Sequence, residues 1–360
     1  MKKLVPMILM RSAIIIALTW LAGCAGMEQY LPADAPPLTA DQEIKVGSTV
    51  EGRLLQLLGG PRHDQALLEE LDSLIKTEDG VSGRFTVAVA DKSAAALYAL
   101  PGGRIVVTRG VLSEISDQGE LMALLEGAAA LTRTAYSERA NRASNEATAE
   151  ILSLKESVYD PESGSIRLAR IFAQRPCEGS CLASLLQSGE NRSGDVPESI
   201  RMLKELQPAY ELLKEAQRLE KADNPSQAIT HYLNAASMAP EEPQILGSLG
   251  MAYLRTGDLQ TARLNLQKAV ELQPDYYKTR MGLGYLYLQQ GKVRKANDQL
   301  AESVRLLPVT ENLFLLAEAR EKGGDAEGGM SLYRLIVETD PHSKLGRTAA
   351  GRLARSKGVE

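Results

Sequence analysis

Residues 96–131, which read ALYALPGGRIVVTRGVLSEISDQGELMALLEGAAAL, contain the patterns that decide the fold of the N-terminal half of the chain. The Pro-Gly-Gly run at 101–103 is typical of a turn, and the β-branched residues at 105–108 favour a strand. After Asp117, leucine and alanine recur every three or four residues as far as Leu131, which indicates a helix with one apolar face. Asp117 and Glu120 have the spacing of a helix capping box. The stretch therefore predicts a strand followed by a buried helix.

The flanking sequence adds more helices and another strand. Apolar residues at helical spacing predict a helix from Asp41 that stops at the Gly-Gly-Pro run of residues 59–61, and a second helix over 66–75. Residues 84–90 alternate as a strand does, and residues 187–198 are rich in Ser, Gly, Asn and Asp, which is typical of a linker. We therefore expect an α+β domain over residues 41–200.

This domain resembles a family of zinc metallopeptidases that includes the CAAX prenyl proteases and an enzyme that enhances β-barrel assembly in bacterial envelopes. The family pattern is N-A-F-A-L-P-G-G-x-I-x-V-T-x-G-L-L followed by E-L-A-x-V-L-x-H-E-x-x-H, and residues 96–112 and 120–125 match it. The DQEIKVG run at 41–47 and the YDP run at 159–161 extend the match to about residues 41–161. The resemblance implies a peptidase-like fold of helices around a small β-sheet.

The metal-binding motif is the part that this chain lacks. In HExxH, two histidines one helical turn apart hold zinc and the glutamate acts as general base. The corresponding residues here are Gly127, Ala128 and Leu131, and the chain has only three histidines, of which His63 alone lies in this region. Glu146 matches the family's third ligand loosely, as a relic of that position or as an ordinary helix carboxylate. We therefore expect no catalytic residue, no bound metal and no cofactor.

The first residues read as a lipoprotein signal peptide over 1–23. A positively charged start and an apolar run too short to span a bilayer end in Leu-Ala-Gly-Cys, which resembles the bacterial lipobox. That resemblance implies that Cys24 carries the lipid, and Ala25, rather than Asp, favours the periplasmic face of the outer membrane. An ordinary cleaved signal peptide is the alternative. Proline-containing residues 24–40 read as a flexible tether.

Two cysteines remain once Cys24 is set aside, and they lie four residues apart. Cys177 and Cys181 are an even pair, and the periplasm is oxidising, so we predict a local disulfide. The alternative is half of a zinc site, but the sequence offers no second Cys or His pair to complete it.

The C-terminal part of the chain, residues 201–342, is a repeat array with a period of 34, the tetratricopeptide length. The repeated positions are Ala228, Tyr232, Ala235 and Pro240, then Ala262, Leu266, Ala269 and Pro274, then Ala296, Leu300, Ser303 and Pro308. We expect about four repeats in an all-α solenoid, capped by a basic amphipathic helix over residues 343–360.

Such arrays bind extended peptides or helices on their concave face. Repeat geometry assigns to that face Tyr210, Met251, Arg255, Lys278, Met281, Tyr285 and Phe314. Methionine and aromatic side chains suit an adaptable protein-binding groove. The alternative for each residue is the core between repeats.

The net charge and the motifs that are missing from the sequence exclude some classes of function. A formal net charge of −5 argues against a nucleic-acid surface, and the chain has no Gly-rich phosphate loop. We expect a lipid-anchored periplasmic adaptor for envelope protein assembly or quality control, which binds proteins or peptides through its repeats and also by strand addition near residues 105–108. The alternatives are an active zinc metallopeptidase, with zinc as cofactor, and a repeat scaffold of a secretion or pilus machine.

Overall fold

The computed structural model describes residues 38–76, 85–134, 145–153, 164–174, 176–187 and 194–357. The predicted signal peptide, Cys24 and most of the predicted tether lie outside these ranges. Among the described residues, no helix combines the length and the apolar character that crossing a membrane requires.

An N-terminal lobe, residues 38–205, contains all the strands of the described chain. Its elements are α1 (Ala40–Leu57), α2 (Gln65–Lys76), β1 (Thr86–Ala90), β2 (Leu97–Leu100), β3 (Arg104–Thr108), α3 (Arg109–Glu114), α4 (Gln118–Thr134), α5 (Asn145–Ser153), α6 (Gly164–Ala173), α7 (Ser180–Gln187) and α8 (Glu198–Glu205). The Asp117 side chain caps α4 by accepting from the Glu120 N–H at 2.9 Å. Glu120 itself accepts from the N–H of Ser116, one residue before the predicted partner. Strand β2 and helix α3 have no counterpart among the sequence predictions.

The sheet has the order β1-β3-β2, with β1 parallel and β2 antiparallel to β3. Alternation of side chains along the strands divides the apolar residues between its two faces. Val106 lies on the face that packs against Leu54 of α1, and Val107 lies on the opposite face, with Leu71 of α2 and Leu124 of α4. The lobe therefore has an apolar core on each side of the sheet.

The position of β3 corrects one prediction. Strand addition near residues 105–108 requires a strand with a free side, but β3 is central and pairs with β1 on one side and β2 on the other. Its backbone groups are already used in the sheet.

The C-terminal array consists of four helical pairs and a last helix. Its elements are α9 (Gln207–Lys221), α10 (Pro225–Met238), α11 (Pro243–Thr256), α12 (Leu259–Leu272), α13 (Tyr277–Gln289), α14 (Val293–Leu306), α15 (Thr310–Lys322), α16 (Ala326–Thr339) and α17 (Lys344–Lys357). The recurring residues Ala228, Ala262 and Ala296 are fully buried, because each pair packs closely at that point. The predicted boundary at residue 201 falls inside α8, whose Ile200 and Leu203 pack in the core of the lobe. The repeats therefore begin at Gln207.

Candidate polypeptide-binding surfaces

The first helices of adjacent repeats, α11 and α13, carry an apolar surface. Met251 and Met281 are partly buried against the core of the array. Met251 packs directly over α13, where a Cβ at Gly282 would come within 2.3 Å of its Sδ atom. Tyr285 on α13 is 38% exposed, which is high for a large ring. Flexible thioethers beside an exposed ring form a surface that adapts to different apolar side chains.

Two cations flank this surface. Arg255 is exposed and pairs with Glu220 at 3.1 Å. Lys278 is also exposed, with its Nζ atom 5.9 Å from the ring centroid of Tyr277. Lys278, Met281 and Tyr285 are spaced three and four residues apart, and Arg255 is one turn beyond Met251, so each set shares one face of its helix. We refer to Met251, Arg255, Lys278, Met281 and Tyr285 as the groove.

The structure places the other two predicted groove residues elsewhere. Phe314 is 8% exposed, and its ring packs on that of Tyr333 with centroids 5.4 Å apart, in the core of the array. Tyr210 is 3% exposed, because the N-terminal lobe covers the start of α9. Both assignments to the concave face are therefore wrong.

The positions that correspond to HExxH lie on α4 against other helices of the lobe. Ala128 is fully buried, and Leu131 packs at the edge of the same core. Gly127 faces Leu185 of α7 so closely that a Cβ there would lie 2.4 Å from a leucine methyl group. Helix α7 therefore occupies the space into which an imidazole at position 127 would extend.

The third position of the family's ligand set is Glu146, which lies on α5, but its side chain is outside the described part of the structure. Among the described residues, no group of three or more His, Cys, Asp or Glu side chains is arranged to hold a metal ion.

A disulfide and a short strand pairing hold α7 in this place. Cys177 and Cys181 are bonded to each other at the start of α7. Cys177 also pairs with Leu97 of β2 through two backbone hydrogen bonds of 2.9 and 3.1 Å. Both sulfur atoms are thus occupied, and Cys177 covers the outer side of β2 at Leu97.

A buried ionic cluster joins the lobe to the array. We call Arg62, Asp91, Arg109, Tyr210 and Glu242 the junction cluster. Arg109 donates from Nε to Asp91 at 2.8 Å, and Arg62 binds Glu242 at 2.8 Å. The Tyr210 hydroxyl lies between the two carboxylates, and the Arg109 guanidinium stacks 3.3 Å from the centroid of the Tyr210 ring.

Charge balance explains how these groups tolerate burial. Burial alone would raise the pKa of Glu242, but hydrogen bonds from Arg62 and Tyr210 outweigh it and lower that pKa. Burial would likewise lower the pKa of Arg62, but Tyr210, Glu242 and Asp91 together raise it. Burial also raises the pKa of Asp91, although the charges of Arg62 and Arg109 oppose that rise. The two carboxylates face two guanidinium groups, so removing either carboxylate leaves a buried guanidinium group with less counter-charge.

Backbone contacts extend the junction along one edge of the array. The Gln244 and Gln273 side chains donate to the carbonyls of Gly59 and Pro61, and Gln56 donates to the Asp275 carbonyl at 2.6 Å. These array residues lie in or beside the turns that precede α11 and α13. The loop at 59–63, which the sequence indicated only as a helix stop, therefore docks the lobe. No periodic signal marks the junction residues, so sequence reasoning missed their role.

A comparison with protein families supports the repeat assignment of the array. Residues 213–277 and 281–344 match the family model of the tetratricopeptide repeat. The array is therefore made of tetratricopeptide repeats, as its 34-residue period predicts, and this class of domain serves as a protein-interaction scaffold. No curated protein matches the chain.

Several solved structures are similar to a part of this chain. MamA from Desulfovibrio magneticus RS-1 is 22% identical, with 41% of this chain and 85% of that chain covered and a TM-score of 0.37. The first TPR of Spaghetti bound to an HSP90 peptide is 21% identical, covering 33% and 94%, with a TM-score of 0.32. The Sgt2 TPR domain from Aspergillus fumigatus is 21% identical, covering 33% and 82%, with a TM-score of 0.32.

Proposed function

We propose that this protein is a polypeptide-binding adaptor, held by a lipid on Cys24 at the periplasmic face of the outer membrane, which serves envelope protein assembly or quality control. The observation that carries the proposal is the groove on α11 and α13. Two partly exposed methionines and an exposed tyrosine are flanked by two cations on adjacent repeats. Such a surface suits apolar side chains of a partner that also carries acidic residues.

We also propose that the N-terminal lobe is a peptidase-like domain without catalysis. Zinc hydrolysis needs a metal that activates water, a base and an open coordination position. The resemblance assigns those roles to positions that are now Gly127, Ala128 and Leu131, and Leu185 fills the space beside Gly127. The lobe then acts by holding the array through the junction cluster rather than by cleaving what the array binds.

Substitutions on three kinds of position test the groove. Met281→Glu places a charge in the groove, whereas Leu264→Glu places the same charge on α12 at a residue that is 61% exposed. We expect Met281→Glu to lower recovery of the partner polypeptides at least about tenfold, because an apolar contact is replaced by a charge. Leu264→Glu should leave that recovery unchanged.

The measurement is co-purification from solubilised envelopes with each partner quantified by mass spectrometry. Ala262→Glu serves as the unfolding control, because Ala262 is fully buried and a buried unpaired charge is costly. If both Met281→Glu and Leu264→Glu are folded by circular dichroism and recover equal amounts of the partner polypeptides, the groove is not the binding site.

A further inference from the structure

The outer side of β1 is only partly paired. Successive residues of a strand direct their backbone groups alternately to its two sides. Lys92 accepts from Gly110 on the β3 side, whereas Val89 accepts from Arg62 at 2.8 Å and Asp91 donates to Gly60 at 3.0 Å on the opposite side. The backbone N–H and carbonyl groups of Val87 and Val89 therefore point away from β3.

The segment at residues 60–62 covers only the end of this edge. Its single bridge joins Pro61 to Ala90, and the chain then turns away into α2. Within the described ranges, the Val87 N–H, the Val87 carbonyl and the Val89 N–H have no hydrogen-bond partner on this side. A sheet edge with unused donors and acceptors is a template for another strand.

A cleft of about 490 Å³ lies directly beside these groups. Its lining includes residues 87–89, Arg53 and Gln56 of α1, Leu68 of α2, and the repeat residues Asp275 and Arg305. Paired strands lie about 4.8 Å apart, so an added strand would run inside this cleft.

The cleft also has an excess of positive charge. Its charged lining consists of Arg53, Arg62, His63 and Arg305 against Asp275. Arg62, His63 and Arg305 already bind Glu242, Asp275 and Glu302. Arg53 donates to the carbonyls of Arg305 and Leu306, and no carboxylate pairs with it among the described residues. Burial and the neighbouring charge of Arg305 lower the pKa of Arg53, and the negative charge of a carboxylate beside it would oppose that lowering.

We propose that this cleft binds an extended, acidic polypeptide segment, which adds as a fourth strand to the outer edge of β1 and places a carboxylate against Arg53. Alternate side chains of such a strand point to opposite faces of the sheet. Acidic residues would face α1, and β-branched apolar residues would face Leu68 of α2. The site lies at the contact between lobe and array and is separate from the groove.

A labelled heptapeptide of alternating valine and glutamate tests the proposal by fluorescence anisotropy on the full chain. We expect it to bind, and the same peptide with lysine for glutamate to bind at least about tenfold more weakly, since the charge-assisted contact with Arg53 is lost. N-methylation at alternate residues should abolish binding in one register and spare it in the other, because only one set of N–H groups faces β1. Equal effects of the two registers, or equal binding of the lysine peptide, would overturn strand addition of an acidic segment.

Variants of the protein locate the site. Arg53→Gln should weaken the glutamate peptide about tenfold, while Arg334→Gln, at an exposed residue of α16, should have no effect. Met281→Glu in the groove should also have no effect. Without any substitution, peptide should slow hydrogen exchange at the Val87 and Val89 amides. Unchanged exchange at both amides, or loss of binding in Met281→Glu, would overturn the assignment to β1.

Discussion

Removing one charge from the junction cluster should destabilise the chain far more than removing an exposed one. Asp91 is 4% exposed and is the only carboxylate among the described residues that binds Arg109, which is 1% exposed. Asp91→Asn keeps the size of the side chain but leaves Arg109 stacked on Tyr210 without a counter-charge. Arg62, whose NH1 atom lies 3.9 Å from Asp91, then depends on Glu242 alone.

The magnitude follows from burial. Breaking a buried pair costs about 3–5 kcal/mol, because the remaining charge stays away from water. The Asn carbonyl keeps a neutral hydrogen bond, so we expect the lower end, about 3 kcal/mol, which corresponds to a fall of about 4 °C in the unfolding midpoint for a chain of this length. Glu198→Gln is the matched control, since Glu198 and Arg201 are 70% and 60% exposed and such pairs contribute at most about 0.5 kcal/mol.

Far-UV circular dichroism is the suitable probe, because the only tryptophan of the chain is Trp20 in the predicted signal peptide. Hydrogen exchange should localise the effect, with faster exchange in residues 59–63 and at the start of α9 in Asp91→Asn. If Asp91→Asn melts within a degree or two of Glu198→Gln, the cluster does not hold the lobe on the array and the electrostatic account of the junction is wrong.

Three further predictions concern the junction, the anchor and catalysis. The hydrogen bond to Asp275 raises the pKa of His63, so this contact stabilises the fold fully below the ordinary imidazole pKa, and the stabilisation is lost as pH rises through the raised pKa. His63→Gln should therefore lower the melting temperature at about pH 6 more than at about pH 9. A difference in melting temperature that does not depend on pH would contradict this prediction. Cys24→Ser should release the protein into the periplasmic fraction, and membrane retention at high salt would argue against a lipid anchor. The purified protein should carry no stoichiometric zinc and should leave casein intact with or without chelator. One equivalent of zinc by elemental analysis, together with chelator-sensitive cleavage of casein, would show that the protein is an active metallopeptidase.

The sequence predicted the array well because its packing is local and repeated. Ala228, Ala262 and Ala296 must be small wherever two helices of a pair approach, and this requirement recurs every 34 residues. Strands β1 and β3 were also predicted, from alternation and from β-branched residues. Strand β2 was not, because all four of its residues are buried and the run shows no alternation.

The features that could not be predicted from the sequence depend on contacts between segments that are far apart in the chain. Tyr210 has the repeat position of a concave-face residue, but whether it faces solvent depends on a lobe that begins far away in sequence. Arg62, Asp91 and Glu242 become neighbours only after both parts have folded. The space beside Gly127 depends in the same way on α7, which Cys177 ties to β2.

Photo-crosslinking in living cells tests most directly whether the groove is where this protein binds polypeptides. A photoreactive phenylalanine analogue is placed at Met281 on α13 in one variant and at Leu264, which is 61% exposed on α12, in the other. We predict that position 281 captures a defined set of envelope polypeptides on illumination and that position 264 does not. Capture of the same polypeptides from both positions, or none from position 281 in a folded and expressed variant, would contradict the adaptor function proposed for the repeats.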